Sequence, residues 1–264
     1  MAAPVFIVSC ARSGSTLLRL AMNAHPQVWS PPELHLLTLC QRLMWTEGVL
    51  RDDGVGDDAF WQGVAARVRE QVDAIIAPPL AASGKEVFCE KSVTSVNHLD
   101  MLKAVFPDAR VVLLYRHAAD MVDSGLRAIA ERADGFDFEP YLNAFPHSRL
   151  EALTRYWLEK TATLRSVAQP AASVRYEDLV DNPQAALTAL ATALELPGPD
   201  DWADAIYRSP PQQGPGDASA YKRTRVDTGS VGVGQAQPWS TLPRRLVKKV
   251  NQQLAELGYA ALPS

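Results

Sequence analysis

The segment from residue 9 to residue 16 combines small, polar and cationic side chains at a spacing suited to anion binding. It reads Ser-Cys-Ala-Arg-Ser-Gly-Ser-Thr and follows the apolar run Val5–Val8. In the nucleotide-binding pattern G-x-x-x-x-G-K-[ST], Gly14 and Thr16 match the second glycine and the final hydroxyl residue, whereas serine replaces the first glycine and the lysine. The turn therefore keeps backbone N–H groups that can bind an anion but lacks the lysine that reaches the terminal phosphates of a triphosphate.

Arg12 supplies a cation in this turn, two residues before Gly14. Such a turn suits one phosphate with a further tetrahedral anion attached. The competing interpretation is a serine- and glycine-rich connection that binds nothing, with Arg12 exposed on the surface. The side chains that follow the other strands bear on this choice.

Three further groups of polar side chains follow predicted strands. They are Glu90-Lys91-Ser92, Arg116 with Ser124, and Arg175-Tyr176-Glu177-Asp178-Leu179, which come after the apolar runs 87–89, 111–115 and 172–175. In an open α/β sheet, ligands bind at the carboxyl ends of the strands. We therefore expect all four groups to lie along one crevice.

The elements that position these groups alternate between strand and helix. Apolar runs predict strands at 5–8, 87–89, 111–115 and 172–175, and helical periodicity predicts helices at 16–23, 34–45, 59–76, 99–106, 118–129, 150–167, 183–194 and 242–257. Pro78 and Pro79 are expected to end the third helix, and 25–32 is predicted as a loop. This order predicts an α/β fold with three αβα layers and a central, mostly parallel sheet, in a single domain over residues 1–264.

The four groups resemble, in order, the motifs of sulfotransferases that use 3′-phosphoadenosine-5′-phosphosulfate (PAPS). Residues 11–18 resemble the 5′-phosphosulfate loop, and Arg116 to Ser124 resemble the 3′-phosphate motif R-x-p-x-D-x-x-x-S. The resemblance covers residues 4 to 183 and implies the P-loop-like sulfotransferase fold of the bacterial type. It also implies PAPS as co-substrate and 3′-phosphoadenosine-5′-phosphate (PAP) as product.

The resemblance assigns roles to individual residues of this chain. Those implied to bind the co-substrate are Arg12, Ser13, Gly14, Ser15, Thr16, Arg116, Ser124 and Tyr176. Arg12 and Lys91 are also implied to act in catalysis, where Lys91 stabilises the bridging oxygen. The alternatives are local ion pairs, of Lys91 with Glu90 and of Arg116 with an aspartate of the next helix, and a core position for Tyr176.

The C-terminal third matches the family less closely. Residues 208–238 are rich in Gly, Pro, Gln and Ser, which predicts a long loop. Lys222 and Arg223 are expected to contact the co-substrate from this loop, which would cover the site, and Ser230-Val231-Gly232 is a further counterpart of the family's late element.

Glu33 is the expected catalytic base, since several branches of the family have a glutamate in this region. A base is needed to accept the proton of the acceptor hydroxyl. A glutamate here is also favoured simply by the start of a helix. His35 is the alternative base in the same segment, and His98 is a second rival.

Composition excludes several other classes of protein. The net charge of −4 lacks the basic excess of a nucleic-acid binder, and the three cysteines suggest neither a disulfide framework nor a zinc site. The sequence predicts no membrane span and no secretion signal, so we expect a cytoplasmic protein. No metal is expected, because Arg12 and Lys91 would neutralise the anion.

The partner expected is therefore a small-molecule acceptor with a hydroxyl group, while the acceptor's identity and the oligomeric state are left open. The aromatic side chains at 136, 138, 141 and 145 either line an acceptor pocket or anchor a loop to the core. Two other functions stay open: a small-molecule kinase of related P-loop fold, and a PAP-binding protein without catalytic activity.

Overall fold

A computed structural model describes residues 2–52, 56–131, 137–208 and 223–263. Five parallel strands form its central sheet in the order β2-β3-β1-β4-β5. They are β1 (Val5–Ser9), β2 (Val28–Trp29), β3 (Val87–Lys91), β4 (Arg110–Tyr115) and β5 (Ala172–Arg175). Because β1 pairs with both β3 and β4, its carboxyl end lies at the middle of the sheet edge.

Helices cover both faces of the sheet. They are α1 (Ser15–Ala24), α2 (Leu36–Asp52), α3 (Asp58–Ala82), α4 (Leu99–Val105), α5 (Ala118–Ala130), α6 (Glu139–Ala144), α7 (Arg149–Arg165), α8 (Tyr176–Asp181), α9 (Pro183–Ala193), α10 (Trp202–Ala205) and α11 (Arg244–Glu256). Short 3₁₀ turns occupy Val93–Asn97, Val233–Ala236 and Trp239–Thr241.

The side chains of β1 divide the core into two clusters. Phe6 and Val8 join the cluster under α2, α3, α5, α7 and α11, whereas Val5 and Ile7 join the cluster under α1, α9 and α10. Successive residues of a strand point to opposite faces, so a strand buried on both faces is apolar throughout. The structure confirms the predicted parallel α/β fold with a layer of helices on each face of the sheet.

Two predictions of local structure were wrong. Helix α3 does not stop before Pro78 and Pro79 but continues to Ala82. A proline in a helix removes a backbone hydrogen bond, yet Leu80 beyond the prolines is buried in the same core cluster as Ile76, and this burial favours the continued helix. The predicted loop 25–32 contains β2, whose two residues are too few to give a strand pattern.

Candidate active site

The turn between β1 and α1 has an unusual backbone at two positions. Arg12 has φ +62° and Gly14 has φ +88°. A side chain at position 14 would place its Cβ 2.1 Å from Cδ2 of Tyr176. Glycine is therefore required at position 14 both by the left-handed backbone and by the ring that lies against it.

The start of α1 offers backbone donors to an anion. Ser13, Ser15 and Thr16 are buried around it. Within the described part of the chain, no side chain caps this helix at Gly14, and its first turn contains no acidic residue. The first N–H groups of a helix lack partners within the helix and carry partial positive charge, so this end favours a phosphate or sulfate group.

Lys91 connects this turn to Glu33. The lysine is the last residue of β3 and is only 2% exposed. Its Nζ forms an ion pair with Oε1 of Glu33 and lies 3.5 Å from Oγ1 of Thr16. Burial lowers the pKa of Lys91, while the charge of Glu33 and its hydrogen bond oppose that shift. A single cation thus contacts the anion-binding turn and the expected base.

Glu33 is held from a second side by the turn that follows β3. Its Oε2 accepts a hydrogen bond from the backbone N–H of Val93 at 3.2 Å. The rival bases lie elsewhere: the exposed His35 ring is hydrogen bonded to Thr94 at 3.1 Å, and His98 to Thr38 at 3.3 Å. The structure therefore brings Glu33, and neither histidine, onto Lys91.

Arg116 lies on the other side of the anion-binding turn. Its Nη1 donates to the carbonyl of Arg12 and its Nη2 to the carbonyl of Ser230, both at 2.8 Å. Its guanidinium also lies over the ring of Tyr176, 4.4 Å from the centroid. Its buried Nε has no hydrogen-bond partner among the residues that the structure describes. Since an unsatisfied buried donor is costly, this atom is suited to an anionic ligand.

Ser124 and Tyr176 complete this side of the site. Nε of Arg12 donates to Oγ of Ser124 at 3.3 Å, so the two predicted phosphate-binding segments touch. Tyr176 is 4% exposed, and its hydroxyl is hydrogen bonded to Oγ of Ser230 at 2.7 Å. The tyrosine is thus both a buried aromatic and a wall of the anion-binding turn.

Asp120, near the start of α5, binds residues of the predicted loop 208–238, of which the structure describes 223–238 and which is called the late loop below. Its two carboxylate oxygens accept the N–H groups of Gly232 at 2.8 Å and Gly234 at 2.9 Å. Sequence reasoning missed this role and treated the aspartates of α5 as possible partners of Arg116. The closely spaced glycines at 232 and 234 were the available signal in the sequence. At position 234 glycine is required, because a Cβ there would lie 2.0 Å from the carbonyl oxygen of Ala119.

The remaining sequence-based candidates have varied positions. Lys222 lies outside the described residues, and Arg223 forms an ion pair with Asp227 at 3.0 Å. Phe138 is fully buried and packs edge-on against Tyr156, which favours the anchoring role for this aromatic. Residue 136 also lies outside the described residues.

Two further features are absent from the residues that the structure describes. None of the helices there combines the length and apolar character needed to cross a membrane. No group of three or more His, Cys, Asp or Glu side chains in these same ranges could hold a metal ion.

Comparison with known proteins identifies the family. A family model described as "Sulfotransferase family" matches residues 4–201. The chain belongs to the sulfotransferase family. Zebrafish (Danio rerio) protein-tyrosine sulfotransferase 1 is 28% identical over 209 residues, which cover 76% of this chain and 54% of the relative. Chicken (Gallus gallus) protein-tyrosine sulfotransferase 2 is 26% identical, with 76% and 52% covered. The chain thus spans about half the length of these curated relatives.

Solved sulfotransferase domains share its fold over the whole chain. The domain from the curacin biosynthetic pathway aligns with a TM-score of 0.71 at 23% identity, covering 100% of this chain and 99% of that domain. The domain from the olefin synthase of Synechococcus PCC 7002 aligns with a TM-score of 0.69 at 23% identity, covering 100% and 98%. The resemblance to sulfotransferases that the motifs indicated is confirmed, and so is the predicted P-loop-like sulfotransferase fold.

Proposed function

We propose that this sulfotransferase moves a sulfuryl group from PAPS to a hydroxyl group of a small-molecule acceptor and releases PAP. The observation that carries the proposal is the position of Lys91, whose Nζ contacts Glu33 and lies near Thr16 of the anion-binding turn. Transfer requires a donor site and a base side by side, and Lys91 joins the two.

The residues around the turn fit the donor. The uncapped start of α1 and Arg12 suit the 5′-phosphosulfate, with Ser13, Gly14, Ser15 and Thr16 providing the turn. The buried Nε of Arg116 and the hydroxyl of Ser124 suit the 3′-phosphate, because they supply donors about a second anion site. Tyr176 would form the wall between the two sites. Arg223, and Lys222 from outside the described residues, are proposed to approach from the late loop.

In the proposed reaction, Glu33 accepts the proton of the acceptor hydroxyl while that oxygen bonds to sulfur. The bond between sulfur and the bridging oxygen breaks, and its electron pair stays on the 5′-phosphate of PAP. Lys91 and Arg12 stabilise the negative charge that grows there. Neither residue needs to form a covalent bond, so the protein acts by positioning and electrostatics.

The acceptor is proposed to be a small molecule, and a tyrosine peptide is the principal alternative because the curated relatives are protein-tyrosine sulfotransferases. The test is incubation with PAPS and a panel of alcohols, phenols, sugars and tyrosine peptides, with PAP release and product mass measured together. Sulfation of a small alcohol, phenol or sugar supports the proposal. Sulfation of peptides alone would correct the acceptor class.

Two further outcomes separate the rival functions. Phosphate transfer from ATP with Mg²⁺, without sulfuryl transfer, would support the kinase, and tight PAP binding without turnover would support a binding protein.

Lys91→Met should abolish turnover. Its matched control is Lys85→Met, because Lys85 lies before the opposite end of β3 and donates to the carbonyls of Asn23 and Val28.

A further inference from the structure

The turn that contains Glu33 is attached to the turn after β3 at several points. Besides the contact of Glu33 with Val93, the backbone N–H of His35 donates to Oγ of Ser92 at 2.9 Å. His35 itself has φ +51°, a conformation that a non-glycine residue adopts only when neighbouring contacts impose it. The position of the base therefore depends on contacts outside its own segment.

Glu90 lies on β3, just before the second of these two turns. The residue is 1% exposed and precedes Lys91 on β3, so its side chain points to the opposite face of the sheet from that of Lys91. Its carboxylate accepts hydrogen bonds from the hydroxyls of Ser92 and Ser95. One buried carboxylate thus attaches the turn that follows β3 to the strand itself.

Ser92 transmits this contact to the turn that carries the base. Its hydroxyl donates to Glu90 and accepts from the N–H of His35. A carboxylate can accept from both hydroxyls, one at each oxygen, whereas an amide offers one oxygen and turns an NH₂ toward the other hydroxyl. The arrangement therefore suits glutamate better than glutamine.

We propose that Glu90 is a positioning residue for the catalytic base: it holds the turn 33–36 through Ser92 and so keeps Glu33 against Lys91. Only the catalytic role of Glu33 in this statement rests on the proposed function. The placement of the turn by Glu90 is a property of the fold and can be tested without turnover.

The charges near Glu90 agree with this role. Burial, the larger cause, and the charge of Glu33 raise its pKa to about 6, although the hydrogen bond from Ser92 and the charge of Lys91 oppose this rise. The buried thiols of Cys40 and Cys89 also lie near it, and burial together with the charge of Glu90 raises the pKa of both. At neutral pH Glu90 is therefore mainly ionised, and its charge raises the pKa of Lys91 together with that of Glu33. The same residue thus orients the base and adds to the charge of Glu33 in favouring the ammonium form of Lys91.

The kinetic test compares Glu90→Gln with Val250→Ala, a core variant on α11 that lowers stability without touching either turn. Glu90→Gln should lower kcat about 10- to 100-fold, while the KM for PAPS and the thermal shift caused by PAP stay unchanged. Ser92→Ala should lower kcat by a similar factor. The double variant Glu90→Gln/Ser92→Ala should lose no more kcat than the more impaired of the two single variants, because both residues act through one chain of contacts.

The second measurement is amide hydrogen exchange of residues 33–36, which needs no active enzyme. Exchange should rise in Glu90→Gln and stay at the wild-type rate in Val250→Ala. If the wild-type protein transfers no sulfuryl group, the proposed function fails while this exchange still decides the role of Glu90. The positioning role is overturned if exchange at 33–36 is unchanged in Glu90→Gln, or if its kcat matches that of Val250→Ala.

Discussion

The ion pair between Lys91 and Glu33 places opposite charges where the proposed reaction needs both. The carboxylate must accept a proton, and the ammonium must remain charged beside the leaving group. The charge of Glu33 stabilises the ammonium of Lys91 in a site from which water is largely excluded, since the side chains of Lys91 and Glu33 are 1% and 5% exposed. Removing either partner leaves a buried charge, which is more costly than losing an exposed ion pair.

Glu33→Gln keeps the shape of the side chain and removes its basicity. We expect turnover to fall by about 10²- to 10⁴-fold while PAP affinity changes little, because Glu33 faces Lys91 and the acceptor side. The parallel change His35→Asn should have a small effect, since the ring of His35 is exposed and bound to Thr94. Steady-state kinetics at a temperature where both variants are folded provide the measurement. If His35→Asn loses most of its turnover while Glu33→Gln retains most of its own, the base was misassigned.

The pKa of Lys91 gives a prediction for alkaline pH. Burial lowers this pKa from 10.5, so the ammonium loses its proton at a lower pH than an exposed lysine would. The kcat of the wild-type enzyme should therefore decline on the alkaline side below pH 10.5. Lys91→Arg keeps its charge throughout this range, and it should be slower at neutral pH but show no such decline. An identical alkaline decline in Lys91→Arg would assign it to another group.

Several residues of the site were predictable from the sequence, and others were not. Lys91, Arg116 and Tyr176 were found because each follows a strand, and parallel strands bring their carboxyl ends to one edge. The contacts of Glu90 and Asp120 were missed, since they join turns far apart in the chain and no periodic pattern encodes them. For Glu90, the available signal was a carboxylate that follows three apolar residues and precedes Lys91 within one strand.

At the scale of elements, hydrophobic burial decided where sequence patterns failed. Proline chemistry predicted the end of α3 at residue 76, but burial of Leu80 accompanies a helix that continues to Ala82. The two-residue strand β2 exists only through its pairing with Val87 and Phe88 of β3. Both errors concern elements stabilised by contacts outside their own segment, which sequence periodicity does not report.

The late loop is an element of the site because Asp120 and α5 hold it there. Gly234→Ala would place a Cβ against the carbonyl of Ala119, so the segment 230–239 must move. We expect a loss of about 1–3 kcal/mol of stability, faster hydrogen exchange over 223–239 and weaker PAP binding, because Arg116 and Tyr176 lose their contacts with Ser230. Thermal unfolding, exchange and PAP titration measure the three effects.

Gly198→Ala is the matched control for this loop variant. Its added Cβ would meet Ala191 at an ordinary contact distance of 3.5 Å, and the neighbouring Pro197 contacts His25, which follows the opposite end of α1 from the anion-binding turn. It should leave PAP affinity unchanged. Unchanged PAP affinity in Gly234→Ala as well would separate the late loop from the nucleotide site.

At the scale of the whole molecule, the site draws on both ends of the chain. The anion-binding turn follows the first strand, whereas Ser230 and Tyr259 come from the C-terminal part. The hydroxyl of Tyr259 donates to Glu177 at 2.8 Å, and Glu177 in turn accepts the N–H of His117 at the start of α5. Ligand binding to this site should therefore stabilise the entire fold, so thermal unfolding can report nucleotide preference.

PAP should stabilise the protein far more than AMP at equal concentration. A ligand that binds only the folded state adds about 2.7 kcal/mol at a concentration of 100 Kd. The missing 3′-phosphate removes charge-assisted hydrogen bonds worth about 1.5–3 kcal/mol each, here from Arg116 and Ser124. AMP at the same concentration would then add only about 0.4 kcal/mol or less.

Ser124→Ala tests whether this preference arises at the proposed 3′-phosphate site. The variant removes one hydroxyl and its hydrogen bond from Arg12, and it leaves the two carbonyl contacts of Arg116 in place. It should reduce the thermal shift caused by PAP and leave that caused by AMP nearly unchanged, because only PAP has a group to bind there. Differential scanning fluorimetry of both proteins with PAP, AMP, ADP and ATP makes the comparison. Equal shifts from PAP and AMP in the wild-type protein would rule out the assignment of Arg116 and Ser124, since a site built for a second phosphate must distinguish the nucleotide that carries it.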